Sequence, residues 1–173
     1  MTTSSDTKLY PLCIAVLTVS DTRDHETDSS GAFLAKALTD QGHHLHGPRI
    51  VRDDIYQIRA VLSDWIANPN IQAIITNGGT GFSSRDSTPE AVSPLFDKNV
   101  EGFGELFRQL SYKEIGSSSL QSRSVAGVAN NTLIFSLPGS TAACATGWNK
   151  IISEQLNNTF QPCNFIAHLR DRG

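Results

Sequence analysis

The stretch IQAIITNGGTGFSSRDSTPEA, Ile71 to Ala91, decides how the chain is read. It opens as a short, β-branched apolar run, Ile71 to Thr76, of the kind found in strands covered on both faces. The run ends in Asn77-Gly78-Gly79-Thr80-Gly81, which can turn sharply and present successive backbone N–H groups to an anion. A helix then starts near Thr88-Pro89-Glu90, with Thr88 as cap and Pro89 in the first helical position. Strand, glycine loop and helix in this order are one unit of an α/β protein.

Working outward, the same alternation recurs. Toward the N-terminus, Leu12 to Val19 reads as a strand and SDTRDHETDSSG as a loop. Ser29 or Ser30 is placed to cap a helix through about Thr39, with Phe33, Leu34, Ala37 and Leu38 at helical spacing. Gly42 ends that helix, and a strand follows over His44 to Val51. From Asp54, the positions Ile55, Ile58, Val61, Leu62, Trp65 and Ile66 mark a helix that stops before Asn68-Pro69.

Toward the C-terminus, a long helix covers Glu101 to Ile115 and a loop covers Ser117 to Arg123. Ser124 to Ala129 and Thr132 to Leu137 read as strands joined by a hairpin-type Asn130-Asn131 turn. Pro138-Gly139-Ser140-Thr141 then leads into a helix through about Leu156. The tail carries too little pattern to assign. The first ten or so residues read as a disordered polar tip, and all 173 residues as a single domain. Alternation of this kind predicts a largely parallel sheet with helices on both faces.

Bulk properties narrow the function. The 14 Lys+Arg against 17 Asp+Glu give a formal charge of -3, so no broad basic field points to nucleic acid or an anionic membrane. Three cysteines without a CxxC argue against a disulfide framework or structural zinc, and for a reducing, cytoplasmic setting. No apolar run approaches the roughly 18 residues of a membrane span.

In a parallel α/β sheet the ligand sits at the carboxyl ends of the strands. That rule selects the loop after Val19, with Ser20, Ser30 and Gly31, the loop after Val51, the glycine loop, and Pro138 to Thr141. None is decisive singly. The glycine loop lacks the Gly-Lys-Ser/Thr of a Walker A motif, and GGTG also serves as a plain turn. Arg85 and Asp86 also read as a solvated pair beside a helix start. Pro138-Gly139-Ser140 also reads as an ordinary cap, and so does Asp53 in VRDD.

Together they suggest a phosphate cradle with two carboxylates, Asp53 and Asp86, facing each other across the strand ends. Such a set suits Mg²⁺, which takes hard oxygen ligands and keeps substrate phosphates in its shell. His43, His44 and His46 lack companion ligands and fit an exposed strand edge. Cys13, Trp65 and Trp148 fit the core.

The ordered set VLTVSDTR, DSSG, NGGTGFSSRDSTPEA, EGFGELFR and SRSVAGVANNTLIFSLPGS resembles the MoaB/MogA family of molybdenum cofactor biosynthesis proteins. The likeness runs from about Leu12 to the tail. EGFGELFR, EIGSSSLQSR and the closing PCNF look closer to the MoaB branch. The resemblance implies a three-layer α/β/α sandwich with a mostly parallel central sheet and a short hairpin.

It also implies binding of molybdopterin and Mg-ATP-dependent adenylylation of its terminal phosphate, with release of pyrophosphate. A homotrimer or homohexamer, and hand-over to the metal-insertion protein of the pathway, are implied as well. Carried over by motif, Asp53 and Asp86 are the functional, catalytic aspartates, with Asp86 holding Mg²⁺ and Asp53 supporting the same metal or orienting the nucleophile. Asn77, Gly78, Gly79, Thr80, Gly81, Thr88, Pro138, Gly139 and Ser140 bind substrate. Asn77 stands where the family usually has Thr, and Arg52 where it has Pro. Two other readings stay open: a non-catalytic molybdopterin carrier, and an unrelated nucleotide or phosphosugar enzyme on a similar sheet.

Overall fold

The computed structural model describes residues 8–170. Its six strands are β1 (Cys13–Val19), β2 (His44–Val51), β3 (Ala73–Asn77), β4 (Lys98–Asn99), β5 (Val125–Ala129) and β6 (Thr132–Leu137). They form one sheet in the order β2-β1-β3-β6-β5-β4. The pairings β1–β2, β1–β3 and β3–β6 are parallel, while β6–β5 and β5–β4 are antiparallel. The hairpin turn has Asn130 at φ 48 and Asn131 at φ 58, left-handed values that Asn tolerates best after Gly.

Helices α1 (Ser29–Asp40), α2 (Ile55–Ala67), α3 (Thr88–Val92), α4 (Glu101–Ile115), α5 (Thr141–Gly147), α6 (Ser153–Gln155) and α7 (Ile166–Arg170) complete the layers. The sequence of β1 shows why both faces are covered. Ile14 and Val16 enter one core with Leu34 and Leu38 of α1, Phe103 and Phe107 of α4, and Cys144 of α5. Ala15, Leu17 and Val19 enter the other with Ile58, Leu62 and Trp65 of α2 and Ala91 and Val92 of α3. Each fully buried Leu or Ile of this set contributes about 1.5–3 kcal/mol. This is the expected three-layer α/β/α sandwich.

Several local expectations are corrected. Asp28 caps α1 through its carboxylate and the Gly31 N–H (2.9 Å), a task expected of Ser29 or Ser30. Asp54 caps α2, accepting from Tyr56 and Gln57, so Asp53 is free of that duty. Thr88 is the first residue of α3 rather than its cap, and its hydroxyl donates to the Gly78 carbonyl (2.8 Å). The expected loop over Ser117 to Arg123 contains a 3₁₀ turn, Gly116–Gln121. The helix expected through Leu156 is interrupted by a π turn, Trp148–Ile152. Cys13 is half-buried rather than buried.

Of the expected disordered tip, residues 1–7 lie outside the described residues. Residues 8–10 are tied to Asn158, which donates to the Lys8 carbonyl and accepts from the Tyr10 N–H. His43 is buried, accepts the Leu12 N–H at Nδ1, and is pushed down to about 4 by burial and then by His44. His46 packs edge-on against Trp65. No helix among the described residues is long and apolar enough to cross a membrane.

Candidate active site

Since β2 lies on one side of β1 and β3 on the other, the switch point of the sheet falls at β1 and β3. There the backbone of the glycine loop is packed too closely for side chains. Gly78 (φ 99) donates its N–H to the Leu137 carbonyl (3.0 Å), and a Cβ on it would collide with the Val19 carbonyl. Gly79 (φ 64) lies directly over the Asp53 carboxylate and the Thr88 hydroxyl, which a Cβ would strike. Gly139 approaches from the third loop, its Cβ position 3.2 Å from Gly78 Cα. Three strand-end loops thus converge within van der Waals contact.

Above them opens a cleft of about 480 Å³. One wall is Ser20, Arg23, Gly78 to Gly81, Asp86 and Pro138 to Ser140. The opposite wall comes from α4 and the 3₁₀ turn: Phe107, Ser111, Ile115, Ser118 and Gln121. Ser140 caps α5, its oxygen accepting the Ala143 N–H (3.1 Å) and leaving its own proton to donate.

The two aspartates occupy different places. Asp86 lines the cleft, with Oδ2 accepting the Ser83 N–H (2.8 Å). Asp53 sits behind the glycine loop, 8% exposed, with Oδ1 accepting from both the N–H (3.0 Å) and the hydroxyl of Ser87. Burial raises the Asp53 carboxyl above its ordinary value; the Ser87 bonds oppose this, and the charges of Asp86 and Asp21 add to it.

Besides Asp53, four expected site residues are buried behind the cleft rather than lining it. Asn77 donates to Thr18 Oγ1 (2.9 Å) and accepts from Ser30 Oγ (2.8 Å). Thr18 in turn donates to Asp28, which also receives Ser30. This closed polar ring, Thr18-Asp28-Ser30-Asn77, ties β1, β3 and the start of α1 together. Gly31 sits against Asp28 and Thr18, and Thr88 braces Gly78 from below. The Asn in place of the family's Thr is therefore fully used, with both ends of its amide bonded.

Sequence reasoning missed two arginines, although both stand inside motifs quoted above. Arg23 is the one cation lining the cleft among the described residues, and it is held by Ser30 and Asp28. Arg123 clamps the far side of the glycine loop. Its guanidinium donates to the carbonyls of Gly81 (2.8 Å) and Asp86 (3.1 Å), pairs with Glu90, and stacks 5.1 Å from the Phe82 ring centre. Arg85 does not pair with Asp86; it forks onto Asp21 with two 2.9 Å bonds, which hold the Asp21 carboxyl below its ordinary range.

Loop amides, hydroxyls, one guanidinium and one carboxylate in a cleft at the switch point of a doubly covered α/β sheet are groups suited to a phosphate-bearing ligand. Comparison with known proteins carries this further. Residues 15–158 match the family model described as "Probable molybdopterin binding domain". Molybdenum cofactor biosynthesis protein B of Escherichia coli (strain K12) is 52% identical over 164 residues, 95% of this chain and 96% of that one. A crystal structure of a molybdenum cofactor biosynthesis protein B superposes with TM-score 0.82 at 42% identity, covering 85% of this chain and 92% of the other. The tungsten cofactor synthesizing protein MoaB from Pyrococcus furiosus gives TM-score 0.73 at 36% identity, covering 83% and 92%. The chain belongs to the MoaB/MogA family of molybdopterin-binding, molybdenum cofactor biosynthesis proteins, on its MoaB branch.

Proposed function

We propose that the protein binds molybdopterin and ATP in this cleft and transfers the adenylyl group to the terminal phosphate of molybdopterin. An oxygen of that phosphate attacks the α-phosphorus of ATP. The bond from the α-phosphorus to the bridging oxygen breaks, and pyrophosphate leaves with that electron pair, giving molybdopterin-AMP. The reaction asks the protein for positioning and charge neutralisation rather than covalent chemistry.

One observation carries the reading: a carboxylate, Asp86, stands among amides and hydroxyls suited to phosphate. A site built only to hold a phosphate gains nothing from an anion beside it, because the two repel. Mg²⁺ fits the donor set. Asp86 offers one hard oxygen ligand, and Mg²⁺ is commonly held by one or two carboxylates plus substrate phosphates rather than by a protein cage. When bound, it supplies neutralisation of charge on the reacting phosphates.

The remaining work belongs to the chain itself. Amides of Gly79 to Gly81 and the Ser140 hydroxyl cradle phosphate oxygens, Arg23 adds positive charge, and Asp53 supports Gly79 from behind the loop. Exposed Tyr112, Ile115 and Leu120 beside the far wall support assembly into a homo-oligomer, trimeric or hexameric. Delivery of the product to a metal-insertion partner belongs to the same proposal.

The position of Asp53, bonded to Ser87 and absent from the cleft lining, favours a second reading as a molybdopterin carrier. Single-turnover conversion of molybdopterin with Mg-ATP separates the two. Wild type is expected to form molybdopterin-AMP, and Asp86→Asn to slow product formation by at least about 10²-fold while still binding molybdopterin. Tight molybdopterin binding without product from either protein would leave the carrier.

A further inference from the structure

A second recess, of about 700 Å³, opens on the outer side of the β1 loop. It shares Ser20 and Arg23 with the cleft, and its other lining residues include Arg49 near the end of β2, Arg52 just beyond that strand, Asp21, Asp24 and His25. The register of β2 explains how the arginines arrive there. Ala15 pairs with His46 but Leu17 with Arg49, so β2 carries one extra residue at Gly47-Pro48. The bulge resets the alternation and puts Arg49 on the same face as Val51. The Ser20 N–H donates to the Val51 carbonyl (2.9 Å), which brings this strand end against the loop that carries Arg23.

The charges in the recess do not cancel. Asp21 is already bonded by both arms of Arg85, and Asp24 by Thr27 and Glu26 of its own turn. Arg49 and Arg52 are exposed and form no ion pair among the described residues. Three guanidiniums therefore gather at one edge of a chain whose formal charge is -3. Guanidinium is the side chain best matched to phosphate, through paired N–H donors and a permanent charge.

We infer that this recess is a polyphosphate subsite, in which Arg23, Arg49 and Arg52 take the β- and γ-phosphates of the nucleotide and hold them as pyrophosphate after transfer. This rests on the adenylyl-transfer reading above. Contiguity through Ser20 and Arg23 lets a phosphate chain run from the glycine loop, where the α-phosphorus reacts, into the arginines. It also gives Arg52, the residue in place of the family's Pro, a task.

The test is calorimetric titration of inorganic pyrophosphate and of AMP, each with Mg²⁺, into wild type and Arg49→Gln/Arg52→Gln. Pyrophosphate binding is expected to weaken at least about tenfold and AMP binding to change less than about twofold. Equal weakening of both, no weakening, or no pyrophosphate binding by wild type overturns the subsite. Should the double variant melt early, Arg52→Gln alone, outside the strand, answers the same question.

The two proposals fail separately. Wild type that forms no molybdopterin-AMP, yet holds pyrophosphate through Arg49 and Arg52, keeps the subsite and removes the transferase. Product formation with an unchanged KM for ATP in the double variant removes the subsite and keeps the transferase.

Discussion

The two walls of the cleft are made of different material. The wall at the strand ends is backbone: glycine-loop amides held between the Val19 carbonyl, the Leu137 carbonyl, Asp53 and Thr88. Behind it lie the Thr18-Asp28-Ser30-Asn77 ring and the Arg123 clamp. The facing wall is side chains on the end of α4 and the turn after it, and Ile115 and Ser118 there are open to solvent. The backbone wall is fixed from several directions, as the proposed adenylyl transfer requires of the surface that positions its phosphates. The side-chain wall can change residue by residue without disturbing the sheet, so in the proposed reaction it is the wall to test for discrimination of the non-phosphate part of a ligand.

The sharpest way to break this contrast is Gly79→Ala. The added methyl meets Asp53 and Thr88 at a φ of 64, so the loop must shift. Displacement of about 1 Å costs about 10²-fold in rate, read as single-turnover product formation, and the melting temperature should fall as well. An active, unshifted Gly79→Ala protein would mean that the loop is not the rigid wall described.

A smaller effect is expected one layer further back. Asn77→Ala removes two buried hydrogen bonds, one to Thr18 and one from Ser30, and leaves both hydroxyls with Asp28 alone as their link across the ring, at a cost of about 1–3 kcal/mol. Each kcal/mol lowers the melting temperature by about 2–4 °C for a chain of this size. A melting curve that does not move would show that the ring closes through water instead.

The smallest effect belongs to the facing wall. Ser118→Ala removes one exposed hydroxyl, so stability should stay within about 0.5 kcal/mol of wild type. Molybdopterin affinity should weaken about 2- to 10-fold, the range of one hydrogen bond, measured by titration. A large loss of stability here would contradict the division between the walls.

That division also explains what the sequence could reveal. The strand His44–Val51 and the helix Glu101–Ile115 are legible to the residue because local pattern sets them. The Asn130-Asn131 turn is legible because few residues accept positive φ. The glycine loop is legible for the same reason. β4, two residues long, carries no periodicity and exists only because Lys98 and Asn99 lie beside β5.

Within the site, residue type marked Asp53, Asp86, Ser140 and the glycines. The roles of Asn77, Ser30 and Thr88 as braces depend on partners 10 to 59 residues away, and a chain read in one dimension does not display them. Arg23 and Arg123 are invisible for the same reason: an arginine in a loop has no local signature that separates a clamp from a solvated charge.

The hairpin has a further consequence, for the order in which the sheet can assemble. Joining β5 to β6 closes a loop of two residues, whereas each parallel pairing must first bring together strands separated by a helix or more. β6 is also the strand whose far side pairs with β3. The hairpin is thus the portion of the sheet with the lowest entropic cost of formation, and it offers a ready edge onto which β3, with its glycine loop, can dock. Pro138-Gly139-Ser140, at the end of β6, would then be the first part of the proposed phosphate cradle in place.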